Sequence, residues 1–241
     1  MLAEQMALQA MELDWIEAER VRIAPIADRA PRDAAQFSAW FAELHETDPL
    51  WDWTAKEASL AQIRWVLRQF LHCDGGTEDL IALVQARLPA MPKLALARGY
   101  DEELHRTPLL ATLAEDLALA AMPDDLLWEG RAIANLASGL AANRCYTYQA
   151  IGALAVSALT AEHRDHALNT ALERVGCSAS TRAYFMAPRT TWHVDAIAAT
   201  IAERPDVAPL VAEGALLQLD AGARAYARFR DEASFVHARA A

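Results

Sequence analysis

From Ala132 to Ala161 this chain carries no carboxylate, although 33 of its 241 residues are Asp or Glu. A segment that avoids negative charge for so long belongs in an interior, because an unpaired carboxylate is costly to bury. Alanine makes up more than a fifth of the chain and β-branched residues are sparse. Alanine loses no side-chain entropy in a helix, so the interior is expected to be helical. The apolar stretch that starts at Met122-Pro123-Asp124-Asp125 and runs to Leu159 is therefore expected to form one long, mostly buried central helix.

The remaining segments repeat the helical pattern. Met6, Met11, Leu13, Trp15 and Ile16 give the first twenty residues an amphipathic spacing, and Arg22 to Arg32, with Pro25 and Pro31, reads as a connector. A second helix is expected from Asp33 to His45, with Phe37, Trp40, Phe41 and Leu44 on one face, and Glu46-Thr47-Asp48-Pro49 breaks it. A third runs from Lys56 to His72 and ends at Gly75-Gly76, after which Thr77 caps Glu78 to Leu88. Pro89 and Pro92 open the next helical segment, and Thr107-Pro108 reads as the start of a new helix reaching Ala121. Thr160 is expected to cap a helix through Arg174, Ser178 or Ser180 starts another, and Pro188 interrupts it, leaving Thr190 to Glu203 as its second half. Asp206 to Ala240 supplies one or two final helices. The sum is one all-α domain, residues 1–241, of eight to ten helices.

Charge and composition narrow the partners. A formal net charge of −11 and pI near 5.1, with no basic stripe, argue against nucleic acid. No apolar run is long enough to span a bilayer and the N-terminus lacks the form of a secretory signal, so a cytoplasmic location is expected. Cys73, Cys145 and Cys177 are an odd set without a Cys-x-x-Cys pair, and are read as small buried hydrophobes. The expected partner is a small molecule, met by a monomer or a homodimer.

The chemistry starts with Glu102-Glu103-Leu104-His105. A carboxylate and an imidazole three residues apart share one helix face and can reach one metal ion. Alone the pair is a half-site, equally read as a surface pair, since such a spacing arises by chance in a chain with 33 acidic residues and seven histidines. His193, between Trp192 and Val194, is either a ligand or a buried imidazole bonded to backbone. Asp195, two residues on, points about 160° away from His193 on an undistorted helix. Glu162 would sit in a first helical turn, where the helix dipole alone favours a carboxylate. His163 and His166 flank it, and Arg164 and Asp165 there suggest an exposed turn.

The order of several blocks resembles a known family. Leu67 to Asp74, Leu80 to Ala86, Leu96-Ala97-Arg98-Gly99-Tyr100-Asp101-Glu102 and His105 with Leu109-Leu110 are similar to the first half of the heme-oxygenase-like diiron oxidases. Asn143-Arg144, Ala150 to Ala155, Leu172 to Gly176 and Tyr184-Phe185 continue that order, so the resemblance covers roughly residues 60 to 215. It implies a bundle of about seven core helices, here preceded by N-terminal helices. It also implies two Fe(II) ions per chain, with O₂ as co-substrate in the desaturation, hydroxylation or fragmentation of a small aliphatic molecule.

Carried over residue by residue, the resemblance implies Glu102 and His105 as the first ligands and Asp74 as an auxiliary carboxylate. The family's second carboxylate falls near Ala158, for which Glu162 is the nearby replacement. Its third ligand helix would begin with His193 and continue at Ile197 and Thr200, where the family has an acidic residue and a His, with Asp195 offered instead. The implied metal set is thus Glu102, His105, Glu162, His193 and Asp195, and a single site of Glu102, His105 and His193 would suit Fe(II). The function expected is an iron-dependent oxidase or oxygenase in a biosynthetic pathway. A free amino acid is the expected substrate, its carboxylate met by Arg144, Arg182 or Arg189. The alternative is a metal-free enzyme, similar to thiaminases, or a binding protein on the same bundle.

Overall fold

Asp33 and Asp48 each leave the preceding segment in extended backbone and accept the amides that follow, Ala35 and Gln36 in the first case and Leu50 in the second. These caps satisfy donors that a helix start leaves open, and they set off α2 (Ala34–Glu43) and α3 (Pro49–Lys56). The structure, a computed structural model, describes residues 2–44, 48–74, 76–119 and 126–239. Among them it is 85% helical without a strand, so the chain is all-α. The expected helix start at Met122 to Asp125, Gly75, the Glu46-Thr47 break, Ala240, and the side chains of Met6, Met11, Leu13, His72, Cys73 and Asp74 lie outside the described residues.

Eleven α-helices are described, against the eight to ten expected. Before α2 runs α1 (Leu2–Ala27), which carries Pro25 inside it where a connector is predicted; Pro25 is exposed, so the lost amide bond falls on the solvent side. After α3, a helix the spacing did not predict, come α4 (Leu60–Asp74) and α5 (Thr77–Gln85). Gly76 adopts φ +84 there and begins α5 in place of the expected Thr77 cap, a conformation that favours glycine.

Three boundaries differ from the sequence reading. Thr107-Pro108 starts nothing: α6 runs unbroken from Ala90 to Asp116 with Pro108 inside. Pro108 and Leu104 are both exposed, so water can take the Leu104 carbonyl that loses its helical partner. The long central helix is instead two, α7 (Trp128–Ala142) and α8 (Thr147–Arg174). Asn143 leaves helical geometry and accepts from the Cys145 amide at 2.9 Å, turning the chain through a short 3₁₀ turn. Thr160 is not a cap but lies within α8, its hydroxyl donating to the Val156 carbonyl at 3.0 Å.

The interior is built on α8 and on α11 (Ala208–Arg239). They cross so closely that a Cβ at Gly152 would stand 1.9 Å from the Val211 carbonyl oxygen, and one at Gly214 1.8 Å from that of Gln149. Around this pair one apolar cluster takes in Phe37 and Phe41 of α2, Trp51 of α3, Ile63 and Leu67 of α4, Ile81 of α5 and Leu136 of α7. Arg20 and Arg22 of α1 pair with Glu213 and Asp220 of α11. Arg174, at the end of α8, donates to the Thr54, Ala55 and Ala58 carbonyls that close α3. No helix among the described residues is long and apolar enough to cross a membrane.

Candidate metal centre and its ion network

Two short helices complete the end of the molecule that holds the candidate ligands. Ser178 accepts from the Thr181 amide and starts α9 (Ala179–Met186); Pro188 follows its end, and α10 (Trp192–Glu203) begins four residues later. The predicted Ser178 start and Pro188 interruption both hold. α10 packs on α6 at Gly99, where a Cβ would come within 2.6 Å of the Trp192 ring. That contact sets the segment 187–191 beside Glu102.

Glu102 is the best-held residue of the site. Its Oε2 accepts from the backbone amide and the hydroxyl of Thr190, each at 2.7 Å, and its Oε1 lies 3.7 Å from Arg189 Nη1. Its side chain is nearly buried. His193 lies on the buried side of α10, and its Nδ1 is buried without a hydrogen-bond partner. Burial, the largest influence, pushes the His193 ring below its usual pKa; the charges of Glu102, Asp195 and Glu162 pull it up and Arg189 pushes it down. The ring is therefore neutral near pH 7, the form that binds metal.

The other predicted residues are placed differently. His105 is exposed, and its Nδ1 donates to the Asp101 carbonyl one turn back, which leaves Nε2 as the acceptor on a surface groove shared with Arg98, Leu109 and Pro188. Of the two residues expected to share one ion, Glu102 is nearly buried and His105 is not. Asp195 is half-exposed and pairs with Arg98 of α6 at 2.9 Å, on the other side of α10 from His193. Glu162 is exposed and sits in the middle of α8, not in a first turn. Among the described residues, no group of three or more His, Cys, Asp and Glu converges as a metal site.

A network of charges fills the same end instead. Arg164 and Asp165, predicted on an exposed turn, are both buried. Asp165 Oδ2 accepts from Arg106 at 2.9 Å and from Arg189 at 2.8 Å, while Oδ1 lies 3.1 Å from Arg164. Arg189 also reaches Glu103 at 3.2 Å, and Arg106 lies 3.9 Å from Glu103. Burial disfavours the Arg189 charge, but Asp165 and Glu103 outweigh it and hold the guanidinium above its usual pKa. Arg106 stacks on Tyr184 at 4.3 Å and Arg164 on Phe70 at 3.9 Å. Glu102, Glu103 and Asp165 thus face Arg106, Arg164 and Arg189, three charges against three, and the network is neutral as it stands. A signal for it lies in the sequence: Glu103 and Arg106 share a face of α6, and Asp165 interrupts an apolar stripe of α8.

A family model described as iron-containing redox enzyme matches residues 64–223. No curated protein matches the chain. The residues fit one iron in kind and not two. Glu102 with the buried, unpartnered Nδ1 of His193 is a carboxylate and imidazole pair of the sort that suits iron. A second ion finds apolar Ala158 and Ile197 and the hydroxyl of Thr200, which is spent on the Ala196 carbonyl. Even the first ion would have to share Glu102 with Arg189 and Thr190.

Proposed function

Because this chain belongs to the iron-containing redox enzymes of heme-oxygenase-like fold, matched over residues 64–223, we propose that it is an oxidoreductase acting on a small aliphatic molecule through one iron rather than two. Glu102 and His193 would hold the ion; Asp195 and then Glu162 are the further carboxylates whose charges reach His193, and Asp195 is already paired with Arg98. Iron bound there would supply activation of O₂, with coordination positions left open to it. The protein's own part is legible in side chains. Thr190 orients the Glu102 carboxylate, burial keeps His193 unprotonated, and the Trp192 to Gly99 contact shuts water from that side.

The amino-acid substrate loses its support. Arg189 is taken by Asp165 and Glu103, Arg182 by Glu173 and Asn169, and Arg144 lies beside Arg87 at the α7–α8 junction, away from Glu102. An uncharged or weakly polar substrate is the reading that remains.

The observation that carries the proposal is the unpartnered Nδ1 of His193. Anaerobic titration with Fe(II), followed by O₂, tests it. Close to one equivalent should bind to the natural chain and none to His193→Ala. A second reading is favoured by the neutral ion network: a metal-free enzyme or binding protein in which Arg189 stands where a metal charge would. Absence of iron binding in the natural chain would select that reading.

A further inference from the structure

Of the close-set helices, α11 has one glycine that its packing does not require. A Cβ at Gly222 would meet only the Tyr226 ring, at 3.6 Å or more, whereas one at Gly214 would collide with the α8 backbone at 1.8 Å. Gly222 borders a partly open cavity of roughly 70 Å³ where α4, α5 and α7 meet α8 and α11, walled by Phe70, Ile133, Leu154 and Tyr226. A buried water needs about 10 to 15 Å³ by a comparable measure, so there is room for several non-hydrogen atoms in a row.

Beside Thr77, Arg164 and Tyr226, the polar side chains Ser157, Thr160 and Gln218 line this space, and both the Ser157 and the Thr160 hydroxyl protons are spent. Ser157 donates to the Ala153 carbonyl at 3.0 Å, and Thr160 to that of Val156 at 3.0 Å. Gln218, 6% exposed, gives its amide NH₂ to Ser157 Oγ at 3.2 Å, while its Oε1 is buried with no partner. With the Ser157 proton on Ala153, turning the amide over would set two acceptors against each other, so the unmet group is the oxygen. An unmet buried carbonyl is costly, and the cavity beside it can only be relieved by a donor. Arg164 in the same wall carries a positive charge and disfavours a cation.

We propose that this cavity is a binding site for a short neutral aliphatic molecule with one hydroxyl donor, a primary alcohol of about three or four carbons, its hydroxyl on Gln218 Oε1 and its chain along Phe70, Ile133 and Leu154. Thr160, Leu219 and Tyr226 also border an outer groove of about 400 Å³, so these side chains lie between the two spaces. Arg164 in the cavity wall also pairs with Asp165, so the cavity backs onto the ion network, but neither Glu102 nor His193 lines it and no metal is needed for the alcohol to bind.

The test uses 1-butanol and the full chain, read by saturation-transfer NMR and by the shift in unfolding temperature. The natural chain should bind 1-butanol saturably and be stabilised by it, and propylammonium should not bind. Gly222→Ala, which adds a methyl to the cavity without a clash, should bind at least about tenfold more weakly while unfolding at the same or a higher temperature. Gln218→Met, close in shape, should lose 1-butanol binding by a similar factor but keep that of 1-chloropropane. Equal binding by the natural chain and both variants, saturable binding of propylammonium as tight as that of 1-butanol, or a cavity that takes only water would each overturn the proposal.

Discussion

The two halves of α8 are held in place by different physics. Toward its start, Gly152 touches the backbone of α11, and the neighbouring Ala150, Ile151, Ala153 and Leu154 are buried among apolar side chains. Toward its end, Arg164 and Asp165 are equally buried but sit among four other charged groups from α6 and the loop before α10, Glu102, Glu103, Arg106 and Arg189. The first half is specified by shape and the second by balance of charge. A dry helix crossing tolerates no added atom, whereas a buried ion network tolerates no unmatched one. The second condition bears on function, because a metal dication is an unmatched charge until something yields.

The largest expected effect is at the charged half. Asp165→Ala leaves three buried guanidiniums short of a partner and should cost about 3 to 5 kcal/mol in denaturant unfolding. A loss under about 1 kcal/mol would mean that the network is solvated and the contrast false. Next comes the shape-specified half. Gly152→Ala forces a methyl into the Val211 carbonyl and should cost at least about 3 kcal/mol, although alanine is the better helix former. Gly99→Ala presses on a side chain rather than on backbone, and the Trp192 ring can shift, so about 1 to 2 kcal/mol is expected. Ordering these two glycines the other way round would show that the α6–α10 contact, not the α8–α11 crossing, is the tightest in the bundle. The smallest effect belongs to His105→Ala, within about 0.5 kcal/mol with helical content by circular dichroism unchanged, because the ring is exposed. A larger loss would place that ring inside the bundle.

How much of this could be read from residues alone follows the same division. Apolar spacing located α2, α4 and the last helices, and local chemistry located the Ser178 cap and the break at Pro188. The failures are at residues whose local preference is overruled by surroundings. Pro108 and Pro25 stay inside helices because they face solvent, and Thr160 looks like a cap but bonds backward within α8. Asn143 ends α7 through its own side-chain bond, a signal present in the sequence but masked by the apolar run on both sides. In the candidate site, the Glu102 and His193 positions were legible as residue types at a family's spacing. That Arg189 would reach Glu102 was not, since the partners are 87 positions apart and meet only because Trp192 seats α10 on Gly99.

The central claim is that Arg189 and a metal ion compete for Glu102. Anaerobic Fe(II) titration of the natural chain and of Arg189→Met, followed by calorimetry, tests it most directly. Removing the cation while leaving Asp165 with Arg106 and Arg164 should keep the fold and tighten binding about tenfold or more, a gain of about 1.4 kcal/mol, at one equivalent per chain. Binding in Arg189→Met that is no tighter than in the natural chain, or a stoichiometry of two, would contradict it.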